Sequence, residues 1–248
     1  MLERGLMMKT QARAVVIGGG VVGVSMLYHL AKKGWTDAVL IERKELTSGS
    51  TWHAAGLLPL FNMSYSVGQV HKYSVKFYQE LEKETGMNVG FRNVSNIRLA
   101  SNPDRWDEYM QYAGVADTIG IEVERLTPDQ VKEIWPLCNT EGLLGAIRHP
   151  GDGYIQPADL TQAMAKGARD MGATIYRNTT VSGISQNASG EWEIETDKGT
   201  ITCEHVVSCT GNFARKTGAM VGLNVPVIPV EHQYILSLIH ISEPTRPT

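Results

Sequence analysis

A run of glycines near the start of the chain has the spacing that brings a backbone close to a phosphate group. In the stretch VVIGGGVVG, Gly18, Gly20 and Gly23 fit the pattern G-x-G-x-x-G. The first glycine allows a tight turn, the second lets the backbone approach a pyrophosphate, and the third lets a helix pack closely on a strand. The N-terminus of that helix presents N–H groups to the phosphates. The spacing predicts a dinucleotide site, and the lack of a following Gly-Lys-Ser/Thr argues against a P-loop.

An acidic residue follows at the distance that such a site requires. Glu42 stands 24 residues after Gly18, at the end of a predicted strand. Its carboxylate is placed to accept hydrogen bonds from the adenosine ribose hydroxyls. A carboxylate there would repel the 2′-phosphate of NADP, so the pattern favours NAD or FAD. The glycines do not distinguish these two, and a bare α/β turn without a cofactor is the alternative interpretation.

The segment LTSGSTWHAAG follows a few residues later. Its small residues would let the backbone touch a flat cofactor, and the hydroxyls of Ser48, Ser50 and Thr51 can bond a phosphate or a ribitol chain. Trp52 and His53 lie in the middle. From the residues alone two interpretations stay open: the ring pair faces the reactive ring of the cofactor, or it is a buried tryptophan beside a hydrogen-bonded histidine.

The local patterns predict the elements that would position these residues. Strands are expected over 14–17, 38–41, 96–100, 173–177, 181–186, 192–196, 200–203 and, as a buried strand, 205–211. Helices are expected over 21–33 with Gly34 as C-cap, 66–85, 103–119, from Pro128 to Pro136, and 157–171. The first strand, turn, helix and strand predict a parallel α/β sheet. Because residues 57–152 interrupt that pattern, we expect two interleaved domains.

Composition limits the class of protein. The chain has 248 residues, 42% of them hydrophobic, and a formal net charge of −3, which argues against a polyanion partner such as nucleic acid. The uncharged stretch 14–31 contains a glycine triplet, so no membrane span is expected there. Three cysteines at unrelated spacings predict neither a metal site nor a disulfide framework.

Four segments together resemble a known family: IGGGVVGVSMLYHLAKKG, VLIERKELTSGSTWHAAGLL, HPGDGYIQPADL and VVSCTGNFAR. They are similar to the dimethylglycine and sarcosine dehydrogenases, within the larger group of D-amino-acid-oxidase-like flavoproteins. The resemblance covers residues 13–235 and implies an α/β fold in which a Rossmann-like FAD-binding domain is interleaved with an α+β substrate domain. It also implies that His53 is joined covalently to the 8α-methyl group of FAD, with Trp52 packed beside the flavin.

The resemblance extends the expected cofactor site to the second half of the chain. Val181 would meet the adenine with its backbone, and Gly211 would approach the cofactor near its pyrophosphate. Cys209 is expected to be a small buried residue rather than a reactive thiol. The full set of expected cofactor-binding residues is Gly18, Gly20, Val21, Val22, Gly23, Glu42, Arg43, Ser48, Gly49, Ser50, Thr51, Trp52, His53, Ala54, Ala55, Gly56, Leu57, Val181 and Gly211.

The substrate side carries fewer signals. In VPVIPVEHQYI, His232 and Tyr234 would share one face of an extended strand. The resemblance places a histidine of this segment near the substrate amine, and we expect His232 and Tyr234 to be catalytic; a structural histidine of a sheet is the alternative. His149 is predicted to be a turn residue, with a place near the flavin as the alternative. His29 and His71, on predicted helices, are expected to be structural.

The expected domains follow these boundaries. Residues 8–60 and 153–221 form the FAD-binding domain, and 61–152 with 222–235 form an incomplete substrate domain. Residues 236–248, LSLIHISEPTRPT, resemble an in-frame translation of a sequencing-adapter end; a natural polar tail is the alternative. The family's substrate sheet continues past Ile235, so an N-terminal fragment is expected. The tetrahydrofolate site of the family would lie in the part of the parent protein that follows.

The implied reaction is oxidative N-demethylation of dimethylglycine or sarcosine, with a hydride equivalent passing from the N-methyl carbon to flavin N5. Electron transfer flavoprotein would be the acceptor of a dehydrogenase, and oxygen that of an oxidase. Two alternatives remain: a non-catalytic flavin-binding subunit that resembles the regulatory subunit of pyruvate dehydrogenase phosphatase, and an oxidase of glycine or D-amino acids. A bacterial cytoplasm, or a mitochondrial matrix in a eukaryote, is expected.

Overall fold

The computed structural model describes residues 8–231 and residue 233. The two residues that were expected to be catalytic, His232 and Tyr234, lie outside the described residues, as does the tail 236–248. Within the described part of the chain, no helix is long and apolar enough to cross a membrane. No group of His, Cys, Asp or Glu residues suited to a metal ion occurs in that part either.

The described residues form six α-helices and twelve strands. The first half contains β1 (Gln11–Ile17), α1 (Val21–Lys32), β2 (Ala38–Ile41), β3 (Leu57–Leu58), α2 (Tyr65–Thr85), β4 (Arg92–Asn93), β5 (Asn96–Ala100), α3 (Pro103–Ile119) and β6 (Glu124–Leu126). The second half contains α4 (Pro128–Ile134), β7 (Gly145–His149), β8 (Gly153–Tyr154), α5 (Pro157–Asp170), β9 (Thr174–Tyr176), β10 (Val181–Gln186), β11 (Trp192–Thr196), β12 (Gly199–Ser208) and α6 (Ala214–Ala219).

A six-stranded sheet forms the base of the cofactor side, in the order β10-β11-β12-β1-β2-β9. Strand β1 is parallel to both β12 and β2, and β2 is parallel to β9. All four residues of β2 are buried, as are the last four of β1, which explains why both strands are continuous apolar runs. Helices α1 and α5 pack together over one face, where Leu27 and Met164 are fully buried.

Two predictions about the last strand are wrong. The strands expected at 200–203 and 205–211 form one strand, β12, because Glu204 continues the extended backbone between them. The pairing of β11 with β12 ends at Trp192 and Cys203, so beyond that point β12 pairs only with β1 among the described residues. Val206 and Val207 are consequently half-buried and Ser208 is exposed, rather than buried as expected.

A second sheet, in the order β5-β7-β6, packs with α2 and α3 around Tyr112 and Ile147. Of its strands only β5 was predicted. The helices on this side begin at side-chain caps: Ser64 for α2, Asn102 for α3 and Thr127 for α4, where Thr127 and Gln130 form a reciprocal capping box. Gly86 and Gly120 end α2 and α3 in the left-handed conformation.

A small third sheet, β3-β8-β4, connects the two larger ones. Leu57 and Arg92 both pair with Tyr154. Gly56, just before β3, has a φ of 76°, and a Cβ there would lie 2.0 Å from the carbonyl oxygen of Ile155. The segment after His53 is thereby fixed against the chain that enters α5, since the Ile155 amide also donates to the Gly56 carbonyl at 2.9 Å.

Candidate cofactor site

The glycine turn lies where β1 meets α1, and its backbone is in contact with the segment that follows β12. Gly18 has a φ of 115°, and a Cβ there would lie 2.4 Å from the carbonyl oxygen of Cys209. A Cβ on Gly23 would lie 1.9 Å from the Gly18 carbonyl oxygen. Both distances are far below van der Waals contact, so only glycine fits at these positions. The tight turn and the close helix–strand approach expected from the spacing are both present.

Glu42, at the end of β2, holds this turn with its carboxylate. One carboxylate oxygen accepts a hydrogen bond from the Gly19 amide at 2.6 Å, and the other accepts from the Lys44 amide at 2.8 Å. The side chain is half-buried. A carboxylate oxygen has two lone pairs, so these bonds leave acceptor capacity for a ribose hydroxyl. The sequence did not indicate that Glu42 also fixes the glycine turn.

The residues that follow Glu42 contact the second half of the chain. The Arg43 guanidinium lies 3.9 Å from the ring centroid of Phe213, a cation–π contact. Phe213 ends a short 3-10 helix, Gly211–Phe213, that follows β12. Gly211, which was expected at the cofactor, has a φ of 52°. Val181 begins β10 and is half-buried.

The STWH part of the segment LTSGSTWHAAG forms a single turn of 3-10 helix, Ser50–His53. The Oγ1 of Thr51 accepts a hydrogen bond from the Val21 amide, at the N-terminus of α1, at 3.0 Å. The Oγ of Ser50 accepts from the Asn212 side-chain amide at 3.3 Å. The turn therefore contacts both glycine-containing segments of the site. Asn212 and Phe213 lie in the segment VVSCTGNFAR, which resembles the family, but the sequence did not indicate their contacts with Ser50 and Arg43.

Trp52 and His53 are presented on the outside of this turn. Their ring centroids are 4.2 Å apart with an angle of 42° between the planes. Both residues are exposed, and the Trp52 side chain retains 59% of its accessible area. The buried-tryptophan interpretation is therefore wrong for the described structure. A large ring that is exposed on a hydrogen-bonded turn is suited to contact a flat cofactor.

The surroundings of the turn fit the chemistry of an anionic flavin cofactor. Helix α1 has no acidic residue in its first turn and no side-chain cap from its own N-cap residue, Gly20. Val22, in that first turn, is exposed to 66%. Ser48, Gly49, Ala54, Ala55 and Leu57 are also exposed. A helix N-terminus, an acid at the ribose position and an exposed surface of small and apolar residues match the chemistry of pyrophosphate, ribose and flavin.

Cys209 does not have the surroundings of a reactive thiol. It is half-buried, and burial raises the pKa of the thiol. A higher pKa leaves less thiolate, which is the reactive form. Its backbone carbonyl, rather than its sulfur, contributes to the site by packing on Gly18.

A polar cluster is made of the half-buried Arg98 and the buried Tyr112, His149 and Asp152. His149 ends β7 and is fully buried, so the prediction of a turn residue is wrong. Its Nε2 hydrogen-bonds the Tyr112 hydroxyl at 2.9 Å. Asp152 is also buried, and one of its carboxylate oxygens accepts from the Leu60 amide at 2.9 Å. The sequence motif HPGDG marked this segment without indicating its burial.

Burial is the largest cause of the pKa shifts of Asp152 and His149. It raises the pKa of Asp152 to about 6, although the Leu60 amide and the Arg98 charge oppose that shift. It lowers the pKa of His149 to about 4, and the Arg98 charge acts in the same direction. The His149 Nδ1, the second Asp152 oxygen and the Arg98 Nε are buried and have no hydrogen-bond partner among the described residues. A neutral histidine is therefore expected above about pH 5.

A glycine turn, an acid at the end of the next strand and a parallel strand returning beside the first define a dinucleotide-binding α/β protein. More specifically, the chain belongs to the FAD dependent oxidoreductase family, whose model matches residues 13–247. This match confirms the family resemblance inferred from the sequence and the expected fold class. It also identifies FAD, rather than NAD, as the cofactor of the family.

Two dehydrogenases and one solved structure are similar to this chain over most of its length. Rat mitochondrial dimethylglycine dehydrogenase is 42% identical over 229 residues, which is 92% of this chain and 27% of the relative. Human mitochondrial sarcosine dehydrogenase is 37% identical over 235 residues, or 91% of this chain and 25% of the relative. The chain therefore spans about a quarter of the length of these relatives. Among solved structures, L-proline dehydrogenase from P. horikoshii matches with a TM-score of 0.82 and 27% identity, covering 89% of this chain and 58% of that one.

Proposed function

We propose that the protein catalyses FAD-dependent oxidative N-demethylation of a small N-methylated amino acid, dimethylglycine or sarcosine. The observation that carries the proposal is the exposed Trp52-His53 pair on a turn that is hydrogen-bonded to the N-terminus of α1. Such a turn would offer an imidazole and an aromatic ring to the flavin while its Thr51 hydroxyl accepts a hydrogen bond from the helix end. The 42% identity to a dimethylglycine dehydrogenase supports the substrate class.

FAD would be held at three places. The pyrophosphate would bind at the glycine turn and the N-terminus of α1, the ribose at Glu42, and the isoalloxazine along the segment that contains His53. The His53 imidazole would replace one hydrogen of the 8α-methyl group, with two protons released to solvent. Forming this bond would also release two electrons, which oxygen or the acceptor used in turnover would take up. A covalent bond of this kind keeps the cofactor bound through every cycle.

The bound flavin would supply a two-electron acceptor for the hydride of the N-methyl carbon. The protein has to keep the amine uncharged, because an ammonium group has no lone pair to support loss of that hydride. We assign this task to the His232 imidazole, which would accept the ammonium proton, and we also propose a catalytic role for Tyr234. The ordinary pKa of histidine suits this role near neutral pH.

We propose the electron acceptor, the acceptor of the one-carbon unit and the location by similarity to the relatives. Electron transfer flavoprotein or oxygen would reoxidise the flavin, and tetrahydrofolate or water would take the one-carbon unit. Because the rat and human dehydrogenases are both named as mitochondrial, a matrix location is proposed if the source is eukaryotic. A bacterial source would imply the cytoplasm.

Flavin reduction by substrate tests the proposal directly. The flavin-containing protein is mixed anaerobically with dimethylglycine, sarcosine or glycine, and the oxidised flavin band is followed. Bleaching by either N-methylated substrate, faster than by glycine, is expected. Trimethylglycine is the matched control, since its quaternary nitrogen has no lone pair. If flavin is bound but neither dimethylglycine nor sarcosine bleaches it, the proposal is contradicted and the regulatory alternative is favoured.

The His53→Ala substitution tests the attachment point. We expect the variant to bind FAD without retaining it after acid denaturation, because the imidazole that forms the bond is missing. Flavin fluorescence of the denatured protein band measures the covalent fraction. His205→Ala is the control, since His205 is also exposed and lies on β12 outside the segment that contains His53. Retention of covalent flavin by His53→Ala would assign the bond to another residue.

A further inference from the structure

Helix α1 begins without a cap of its own. Its N-cap residue is Gly20, which has no side chain to accept a hydrogen bond, and the first turn contains no acidic residue. The first N–H groups of a helix have no partner within the helix and are normally satisfied by a side chain or a ligand. One of them, the Val21 amide, donates to the Thr51 hydroxyl at 3.0 Å. Thr51 thus performs the capping role from 30 residues further along the chain.

Thr51 is placed for this role by two further contacts. The Thr47 amide donates to the Gly19 carbonyl at 3.0 Å, and the Trp52 amide donates to the Thr47 carbonyl at 3.3 Å. The segment that contains His53 is therefore bonded to the glycine turn at both Thr47 and Thr51. The Thr51 side chain is 8% exposed, so water competes little for its hydroxyl.

Gly20 shows how closely the two segments approach. A Cβ added to Gly20 would lie 3.1 Å from Thr51 Oγ1. That distance is shorter than ordinary van der Waals contact. The second glycine of the motif therefore accommodates the Thr51 hydroxyl as well as allowing a phosphate to approach. The pyrophosphate end of the site and the turn that contains His53 are linked through this contact.

We propose that Thr51 is a positioning residue: its hydroxyl fixes the Ser50–His53 turn on the N-terminus of α1, so that the His53 imidazole is held at the flavin's attachment carbon. The proposal rests on the proposed covalent bond at His53. Loss of the hydroxyl would leave His53 chemically intact but able to move with its turn. Small displacements of a reacting group lower the rate of bond formation without removing the group.

The test compares Thr51→Val, which keeps the shape of the side chain, with Thr51→Ser, which keeps the hydroxyl. FAD-free protein is mixed with saturating FAD, and the covalent fraction is followed over time by acid denaturation. Thr51→Val is expected to attach flavin about tenfold more slowly than the unsubstituted protein, and Thr51→Ser within about twofold. Thr118→Val is the matched control, because the Thr118 hydroxyl bonds only the Gly114 carbonyl of its own helix among the described residues.

Each outcome decides the question. Attachment by Thr51→Val at the unsubstituted rate would overturn the positioning role while leaving the proposed function standing. Absence of covalent flavin from the unsubstituted protein would overturn the attachment and this role together. If Thr51→Val does not fold, hydrogen exchange of the FAD-free unsubstituted protein replaces it. The Val21 amide is then expected to be protected, and free exchange of that amide would overturn the proposal.

Discussion

Gly23→Ala is expected to abolish the native cofactor site. The added Cβ would lie 1.9 Å from the Gly18 carbonyl oxygen and 3.2 Å from the Cys209 Cβ. The first neighbour is backbone that cannot rotate away, so α1 must move off the sheet or the glycine turn must open. We expect a loss of about 3 kcal/mol in the free energy of unfolding, together with loss of FAD binding. Urea unfolding and flavin content of the purified variant measure these effects.

Gly114→Ala is the matched control for this substitution. Gly114 lies inside α3, and no described atom beyond its own helix backbone and chain neighbours lies within 4 Å of a Cβ built there. Alanine should therefore stabilise the protein by about 0.5–1 kcal/mol through its higher helix propensity. If the free energy of unfolding of Gly23→Ala lies within about 0.5 kcal/mol of that of the unsubstituted protein, the helix can shift at little cost.

Opposite pH dependences are expected for the free energies of unfolding of two variants of the polar cluster. Asp152→Asn should become more stable as the pH rises from about 4 to 6.5, and His149→Gln should become less stable as the pH rises from about 4 to 6. Each change should amount to about 3 kcal/mol relative to the unsubstituted protein. Urea unfolding at intervals of half a pH unit measures both slopes.

The signs follow from which state binds the proton. The pKa of His149 is lowered from 6.5 to about 4, so in this window only the unfolded chain is protonated there, and stability rises with pH. The pKa of Asp152 is raised from 3.8 to about 6, so only the folded chain is protonated there, and stability falls with pH. In the unsubstituted protein the two contributions nearly cancel, and each variant removes one of them.

The two substitutions are conservative, so that each removes the titrating group but keeps its hydrogen bond to the neighbouring group. The asparagine of Asp152→Asn keeps an oxygen for the Leu60 amide, and the glutamine of His149→Gln keeps a donor for the Tyr112 hydroxyl. Glu133→Gln is a control, because Glu133 is exposed on α4. Parallel pH profiles for both cluster variants would show that the two groups do not titrate differently in the folded and unfolded states.

The elements that the sequence predicted correctly are those with local signals. Helix α3 has an Asn102 cap, a proline at its first position and Gly120 after its end, and its predicted bounds agree with the structure. Strands β10 and β11 were also predicted with the observed bounds, because turn residues separate them. Strands β3, β4 and β8 have only two residues each, and they exist because of pairing with distant segments. Such pairing leaves no periodic pattern in the sequence.

The same distinction applies to the site. The glycine turn and Glu42 were predicted because their spacing lies within one strand–helix–strand unit. The bond from the Val21 amide to Thr51 and the contact of Arg43 with Phe213 were not predicted, since they depend on how separate segments meet in the fold. The burial of His149 was missed for a related reason. A histidine followed by proline and glycine indicates a turn locally, and only the surrounding sheet reveals that the imidazole is covered.

The contact between Gly18 and Cys209 has a consequence for biosynthesis. The Cys209 amide donates to the Ile17 carbonyl at 2.8 Å, and its own carbonyl packs on Gly18, so the glycine turn is completed by a residue made 191 positions later. At roughly 5–20 residues per second, a ribosome needs on the order of 10–40 seconds to reach that residue. The nascent chain therefore holds an unfinished cofactor pocket for that interval. We therefore expect FAD to bind late, and we expect factors that shield the incomplete sheet during translation to raise the yield of flavin-loaded protein.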